Sequence, residues 1–333
     1  MVAAIRSFDQ FQIGEESTKG TLVAATTKLL GDGVFTEEQD FYRPNYPRGQ
    51  RATVGGAGVV TRQGTVITLE SDLSPEDILW PLHCGIVGNQ TPAVGPPKVW
   101  TFTPVLTAWP TLDSATIELV RGDGTTNHYA REFGYGLCRS MDFSWAVNEV
   151  AKLKTEWIAR ATQTSTPTAA LTLYTGREAL VSNLLSVYRD TTWAGLGGTQ
   201  LTGLIRSASL KVNTGLDADY TLDGRSDKDF TQHKVAAGLG ATLSLVLEFD
   251  STGAARSFTD YRSNLIEYIR LKNVGAVAAN SIVQIDGAFR FTSPPSLSYD
   301  GEVVLVSCDM EALYDDTGTK ILVFTITNST AAL

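Results

Sequence analysis

The chain has few cysteines, and they are badly placed for disulfide bonds. Only three occur among its 333 residues, and Cys84, Cys138 and Cys308 lie far apart along the sequence. A disulfide framework needs an even number of cysteines at short spacings. The sequence therefore predicts free thiols, most of them buried.

Long hydrophobic runs are also missing. No apolar stretch approaches the roughly 20 residues that a membrane-spanning helix needs. The opening segment, Met1–Ser7, lacks the apolar core of a signal peptide. We expect a chain that is synthesised in a cytosol and binds no membrane.

Charged residues are scarce and unequally divided. They make up 19% of the chain, with 27 Lys and Arg against 36 Asp and Glu, for a net charge of -9 at pH 7. Nucleic-acid affinity depends mainly on Lys and Arg, so this balance argues against tight binding to phosphates. It does not exclude a surface that nucleic acid must pass without sticking. A surface poor in charge also favours a protein partly covered by partners.

The sequence contains no motif for catalysis or for a cofactor. The glycine-rich segment 55–58 precedes a strand-like Val-Val-Thr run rather than a helix, so no helix N-terminus is available to bind a phosphate. No nucleophile elbow, P-loop or zinc-protease pattern occurs. We predict a protein that is not an enzyme and has no cofactor.

Metal-ligand patterns are equally sparse. The acid-rich segment 217–229 departs from a calcium-binding loop, because Thr221 and Leu222 stand where an acid and a glycine are required. A solvated loop is favoured there, with calcium as an open alternative. The few histidines lack a partner at helical spacing, so we interpret them as structural and predict no metal site. These histidines are His83, His128 and His233.

One pattern occurs twice. In each half of the chain a strand that ends in an acid, Val66–Glu70 or Leu243–Glu248, precedes a Ser-x-x-Asp sequence. That sequence is typical of a helix N-terminus, where the Ser side chain and an acid three residues later satisfy backbone donors. It begins at Ser74 in the first half and at Ser257 in the second. We predict one helix in each half and a duplicated unit.

The two predicted helices differ in length. The first runs to the Ile-Val-Gly at 86–88 and the second to the Asn-Val-Gly at 273–275, longer by about one helical turn. The second also has apolar residues at helical spacing. These are Phe258, Tyr261, Leu265, Ile266, Tyr268 and Ile269.

The rest of each unit reads as strands. Apolar and polar residues alternate from Leu137 to Asn148 and again over 150–161, which predicts a large hairpin with a turn at Asn148-Glu149. Gly- and Thr-rich sequence separates this hairpin from the second unit. The predicted divisions are an arm at 1–50, a β domain at 51–161, a connection at 162–203 and a second β domain at 204–330.

The predicted arm carries aromatic residues among turn signals. Apolar groups on an extended arm bury against something, which is either a neighbouring subunit or the arm's own domain. Both alternatives are open. The residues are Phe35, Phe41, Tyr42 and Tyr46.

Several acids in the β units have no obvious basic partner nearby in sequence. As a catalytic pair they would need a defined separation in a cleft, and the exposed face of a sheet is the simpler interpretation. They are Asp142, Glu149, Asp286 and Glu302.

The segment Phe11–Thr21, with its Gly-Glu-Glu-Ser-Thr-Lys-Gly-Thr sequence, resembles the major tail tube proteins of long-tailed bacteriophages. So does Ile205–Gly215 leading into Leu222–Arg225. The resemblance covers most of the chain. Length is the main departure, because one tube domain occupies about half of this chain, and a duplicated form of the family accounts for the difference.

The resemblance implies a mainly β fold with one helix per domain, arranged as two tandem β-sandwich or barrel domains. It also implies long hairpins that join neighbours into a closed ring, rings that stack into a tube in the virion, and double-stranded DNA passing through. If single-domain relatives form hexamers, a two-domain chain forms trimers with pseudo-sixfold symmetry. Tape-measure, tail-terminator and distal tail proteins are the implied partners. The four acids above would then face an acidic lumen that repels phosphates.

A different class of function stays open at this point. A β-sandwich that binds glycans or receptors needs exposed aromatic side chains on loops, and Trp100, Trp109 and Trp193 are candidates. The same residues also suit packing at loop bases or subunit contacts.

Overall fold

The computed structural model describes residues 6, 9–43, 58–122, 127–161, 163–164, 166–169, 171–174, 176–222, 224, 227–250, 253–276 and 280–333. Strands dominate these ranges, and two helices accompany them, so the chain is mainly β as predicted. No helix among the described residues is long and apolar enough to cross a membrane.

The strands of the first half, with the helix that lies among them, come first in the chain. They are β1 Gln10–Glu15, β2 Thr27–Leu29, β3 Asp32–Tyr42, β4 Val59–Asp72, α1 Leu79–Gly85, β5 Lys98–Phe102, β6 Ala115–Gly122, β7 Asn127–Ala146, β8 Lys152–Ala159 and β9 Gln163–Thr164.

The second half likewise consists of strands with one α-helix among them. Its elements are β10 Leu185–Asp190, β11 Ile205–Asn213, β12 Leu216–Asp219, β13 Gln232–Val235, β14 Gly240–Glu248, α2 Gly253–Arg262, β15 Glu267–Val274, β16 Ile282–Phe291, β17 Ser296–Asp300, β18 Val303–Ala312 and β19 Leu322–Asn328.

One antiparallel sheet of eight strands runs through both halves, and we call it the shared sheet. Its order is β3-β4-β8-β7-β11-β14-β18-β17. The two halves meet at β7 and β11, where Ser207–Asn213 lies opposite Ser140–Ala146. Within the described residues β3 and β17 each pair on one side only, and the sheet does not close into a barrel.

A second layer of strands lies in two groups. One group pairs as β2-β1-β6-β7-β9 and the other as β10-β15-β16-β19-β5. Strand β5 belongs to the first half but pairs with β19 of the second, which gives the halves a second connection. Both layers contribute to one hydrophobic cluster, which includes Ile67, Phe143, Leu210, Leu245 and Phe324.

The connectivity of the first half recurs in the second. Five antiparallel pairings have counterparts: β1-β6 with β10-β15, β3-β4 with β11-β14, β4-β8 with β14-β18, β6-β7 with β15-β16, and β7-β8 with β16-β18. Each helix follows the counterpart strand, α1 after β4 and α2 after β14. The predicted domain limits stay a prediction, but the repeated connectivity begins at β1 in the first half and at β10 in the second.

The first predicted helix start is confirmed in part. The backbone N–H of Asp77 donates to Ser74 Oγ over 3.1 Å, which is the predicted capping contact. A turn follows it, and the regular helix α1 occupies Leu79–Gly85, where every residue is buried.

The second predicted helix is wrong in both its start and its end. Ser257 lies inside α2, and residues 267–274 form β15 rather than helix. Asn264, at φ 51°, follows the helix in the left-handed conformation typical of a helix end. Ile269 and Leu271 are buried on alternate positions of β15, so the apolar residues assigned to a helical stripe include the inward face of a strand.

The segment predicted as an arm, 1–50, contains the three strands β1, β2 and β3. Phe35 packs inside its own chain, with its ring 5.1 Å from that of Phe133 and stacked 5.9 Å from Tyr129. Phe41 and Tyr42 end β3 with exposed side chains, and Tyr46 lies outside the described residues.

The thiols are buried as predicted. Cys84, Cys138 and Cys308 are free and buried. Burial raises the pKa of all three thiols, and most strongly those of Cys84 and Cys138. Protonated, water-excluded thiols of this kind are structural rather than reactive.

A buried arginine ties β10 to α2 and β15. Arg189 is 4% exposed and donates from Nε to Glu267, from Nη1 to Ser257 and from Nη2 to Asp260, each over 2.8 Å. Burial raises the pKa of Glu267, and the charge of Arg189 opposes that rise. The guanidinium of Arg189 therefore offsets much of the free-energy cost of burying the carboxylates of Asp260 and Glu267. Arg256 is a second, more exposed partner of both acids.

We predict that Arg189→Met lowers the free energy of unfolding by about 3–5 kcal/mol, because it leaves two buried carboxylates short of a partner. Urea denaturation followed by tryptophan fluorescence measures the change. The matched control is Arg206→Met, which removes the partly exposed ion pair with Glu248 and should cost about 1 kcal/mol or less. Equal losses in the two variants would contradict a structural role for the buried cluster.

Candidate assembly surface

The shared sheet has one buried and one exposed face. On β7, Met141, Phe143 and Trp145 are buried, whereas Asp142 and Ser144 point to the other side. Side chains alternate between the two faces of a strand, and residues opposite each other on neighbouring strands lie on the same face. The register therefore identifies which residues of each strand share the exposed face. The exposed face is therefore built from several strands of both halves.

Charged residues form rows across this face. Following the register from β4 to β11, Glu70 lies opposite Lys154, Lys154 opposite Asp142, and Asp142 opposite Lys211. The sign alternates at each step, and Lys211 Nζ lies 3.7 Å from Asp142 Oδ2. Opposite charges at such positions each stabilise a sheet by about 0.2–1 kcal/mol.

The neighbouring rows repeat the arrangement. Lys152 Nζ lies 2.6 Å from Asp72 Oδ1, and that hydrogen bond raises the pKa of Lys152. On the other side Arg139 lies 3.6 Å from Glu156. Basic residues thus partner the acids of the first half.

The far strands carry two further acids, and one of them, Glu311, has Arg290 of β16 directly opposite it. Asp309 and Glu311 are both exposed on β18, opposite Ser244 and Thr242 of β14. Across these rows acids outnumber bases, so the face is mildly acidic with a mixed pattern of charge. The acids are Asp32, Glu70, Asp72, Asp142, Glu156, Asp309 and Glu311, and the bases are Arg139, Lys152, Lys154, Lys211 and Arg290.

The four acids singled out in the sequence do not come together. Asp142 lies on the exposed face, Glu149 is in the turn between β7 and β8, and Glu302 is in the turn between β17 and β18. Asp286 lies on β16 in the other layer, where it is buried and accepts from Arg270 over 2.7 and 2.9 Å. It does not belong to this face, because β16 pairs with β15 and β19 in the other layer. Its carboxylate is held there by Arg270, the residue opposite it on β15.

The two outer strands of the shared sheet expose apolar side chains. Every residue of β17 is exposed, with Leu297 54% and Tyr299 75% accessible. At the opposite edge, β3 exposes Val34, Phe41 and Tyr42. An exposed edge with apolar side chains is a template for pairing with another strand.

The β3-β4 hairpin extends beyond the rest of the sheet. Its two strands pair from Asp32 opposite Glu70 to Tyr42 opposite Val59, but β8 contacts β4 only over Thr65–Asp72. The outer part of the hairpin, which carries Phe41 and Tyr42, therefore projects past the neighbouring strand. We call it the projecting hairpin.

The tryptophans give limited support to a binding module. Trp100 is buried and donates to the carbonyl of Thr330, and Trp193 packs edge-on against Tyr268. Trp109 alone of the three candidates is well exposed, and it donates to His233 Nε2 over 3.3 Å. A cavity of about 400 Å³ lies beside it, lined by the loop Pro104–Pro110 and by β12 and β13 residues.

The described residues contain one group of three potential metal ligands, Glu15, His83 and Asp113. The segment 217–229 contributes none of them. Its Asp229 accepts from the backbone of Ala161 instead, and Asp223 lies outside the described residues.

We predict that Lys154→Glu lowers the free energy of unfolding by about 1–2 kcal/mol, because it places three carboxylates at directly opposite positions on three strands. Urea denaturation at low and at high salt measures the loss of stability, which should shrink as added salt screens the repulsion. Lys272→Glu is the matched charge reversal and should be nearly neutral, because this strand position of β15 lies opposite the uncharged Ser186 and Gln284. A loss that is independent of salt would contradict the electrostatic explanation.

Comparison with known proteins adds one match. A family model described as phage tail tube protein matches residues 10–317, which include both halves and every strand of the shared sheet. No curated protein matches the chain.

Proposed function

The chain belongs to the phage tail tube protein family, and from this premise we propose that three copies close into a ring whose inner wall is the shared sheet. The observation that carries the proposal is that one chain supplies eight adjacent strands with an open edge at each end. Pairing of β3 in one copy with β17 in the next closes the sheet and removes both edges. Stacked rings then form the tube of a virion tail.

The number of copies follows from the size of the opening. With strands about 4.8 Å apart and tilted by about 40°, an eight-stranded barrel has a backbone radius of about 8 Å, twice as many strands give about 16 Å and three times as many about 24 Å. Side chains take up roughly 6 Å of that radius. Two copies would leave a channel about as narrow as the duplex, roughly 20 Å, whereas three leave clearance around it.

The exposed face suits a wall that DNA passes. Its lysines are partnered by carboxylates across the strands, as for Lys154 and Lys152, and are therefore poorly available to phosphates. A small excess of acids repels phosphate over a distance of about 10 Å. The repulsion in this proposal comes from Glu70, Asp142, Asp309 and Glu311, and Asp286 takes no part.

The repeated connectivity supports a duplicated unit. Each half contributes four strands to the shared sheet, β3, β4, β8 and β7 from one and β11, β14, β18 and β17 from the other. Strand β17 follows directly on β16, the counterpart of β7, and both pair with β18. The junction between β7 and β11 inside one chain then corresponds to the junction between β17 and β3 of separate copies. A ring of three chains has pseudo-sixfold symmetry on this basis.

We predict that Leu297→Glu together with Tyr299→Glu abolishes ring formation without unfolding the chain. Both side chains are exposed on the outer strand β17, so the variant puts like charges on an edge that must pair with β3. Mass photometry and negative-stain microscopy measure assembly, and circular dichroism checks the fold.

The control for the edge variant is Leu222→Glu, a fully exposed position outside the shared sheet, which should still give trimeric rings and tubes. Normal rings from the β17 variant would contradict pairing at that edge. Rings containing six copies would contradict the proposed stoichiometry.

In the proposed tube the projecting hairpin contacts the next ring. We predict that Phe41→Ser with Tyr42→Ser yields free rings but shortens or abolishes tubes. The substitutions remove the apolar side chains that the hairpin would bury against the neighbouring ring. Tube length measured by electron microscopy is the readout. The control is Tyr314→Ser, at an exposed position outside the hairpin, which should give tubes of normal length. Tubes of normal length from the hairpin variant would contradict the inter-ring role.

A further inference from the structure

Three side chains from separate segments converge beside α1. Glu15 ends β1, His83 lies in α1, and Asp113 precedes β6, and one ligand atom from each lies within 4.8 Å of the others. We propose that these residues bind one divalent transition-metal ion, with zinc as the preferred ion. The proposal does not depend on ring formation.

His83 provides the strongest reason. Its side chain is 4% exposed, yet neither ring nitrogen makes a hydrogen bond of acceptable geometry. Nε2 lies 2.8 Å from Asp113 Oδ2, so the two atoms are close without being well aligned for an N–H donor. Buried polar atoms are nearly always satisfied, and an ion between the nitrogen and the carboxylates would satisfy this one.

The spacing of the ligand atoms fits an ion between them. Atoms bound to tetrahedral zinc at about 2.0–2.2 Å lie roughly 3.3 Å apart. The distances from His83 Nε2 are 2.8 Å to Asp113 Oδ2 and 3.6 Å to Glu15 Oε1, one on either side of that value. Small rotations of the two carboxylates therefore bring all three atoms to bonding distance.

Backbone contacts hold one of these ligands, Asp113, in place. Gly88 lies so close to Asp113 that a Cβ there would fall 2.4 Å from the Asp113 nitrogen, and the backbone N–H of Asn89 donates to Asp113 Oδ2. The neighbouring Glu16 points the other way, where its carboxylate accepts from Ser114, Thr116 and backbone donors. Glu15 is therefore left for the other side of β1.

The donor set selects the class of ion. One imidazole and two carboxylates suit zinc and similar transition metals, whereas calcium prefers six to eight oxygen ligands. Glu15 is 42% exposed, so the ion can enter from solvent and keep water as its remaining ligand. An ion held here would link β1, α1 and the segment before β6.

The test uses the full chain without a histidine tag, freed of metal with a chelator and dialysed. We expect calorimetric titration with zinc to show about one ion bound per chain, and the melting temperature to rise by about 5 °C at a hundredfold excess over the dissociation constant. Cobalt in place of zinc should give visible absorption bands that respond to the imidazole ligand.

Two variants separate binding from folding. Glu15→Gln changes an exposed ligand and should weaken zinc binding at least tenfold while the metal-free melting temperature is unchanged, and His83→Asn should abolish the cobalt bands. Glu302→Gln, an exposed acid in a distant turn, is the control and should bind normally. Absence of binding by the native chain, or equal binding by the Glu15 and Glu302 variants, would overturn the proposal and leave His83 as a partner of Asp113 alone.

Discussion

The backbone pairing of β7 with β11 is the constraint on which the rest of the structure depends. Each half by itself would end in unpaired strand edges, which are unstable in water and prone to uncontrolled association. Pairing Ser207–Asn213 with Ser140–Ala146 turns two four-stranded pieces into one sheet with a single exposed face. This register also extends the row of alternating charge from the first half into the second, since Asp142 meets Lys211 across the junction.

Each half contains a buried aspartate that is paired with an arginine from another segment. In both, an acid of a Ser-x-x-Asp sequence is buried and paired with an arginine from the segment between the repeated units or from β10. Asp77 lies 2.6 Å from Arg177, and Asp260 lies 2.8 Å from Arg189. Burial raises the pKa of Asp77 against the effect of its arginine. The serine caps a turn in the first half but lies within α2 in the second, so the pattern is shared while its geometry has diverged.

The sequence predicted local features well and long-range ones poorly. Alternation along the second part of β7 and along β8 is visible in the residues, because burial of one face imposes a period of two. The end of α2 was missed because Tyr268 and Ile269 fit a helical stripe as well as they fit the inward face of β15. The charge rows and the cluster around His83 were missed for another reason: their members come from segments far apart in the chain, and only the register brings them together. Glycines lie within or beside the strands at the N-terminus, as Gly14 does in β1 and Gly33 in β3, and these turn signals hid the strands.

The two ends of the shared sheet are unequal, since β3 has 11 residues and β17 has 5. In the proposed ring, junctions held by a covalent chain alternate with junctions between separate chains, and only the latter must form by collision. A tether raises the effective concentration of its partner to the millimolar range, so half of the wall is already joined before any two chains meet. The joints between chains are therefore the places where such a wall would open under load, three lines of weakness in a cylinder with six seams.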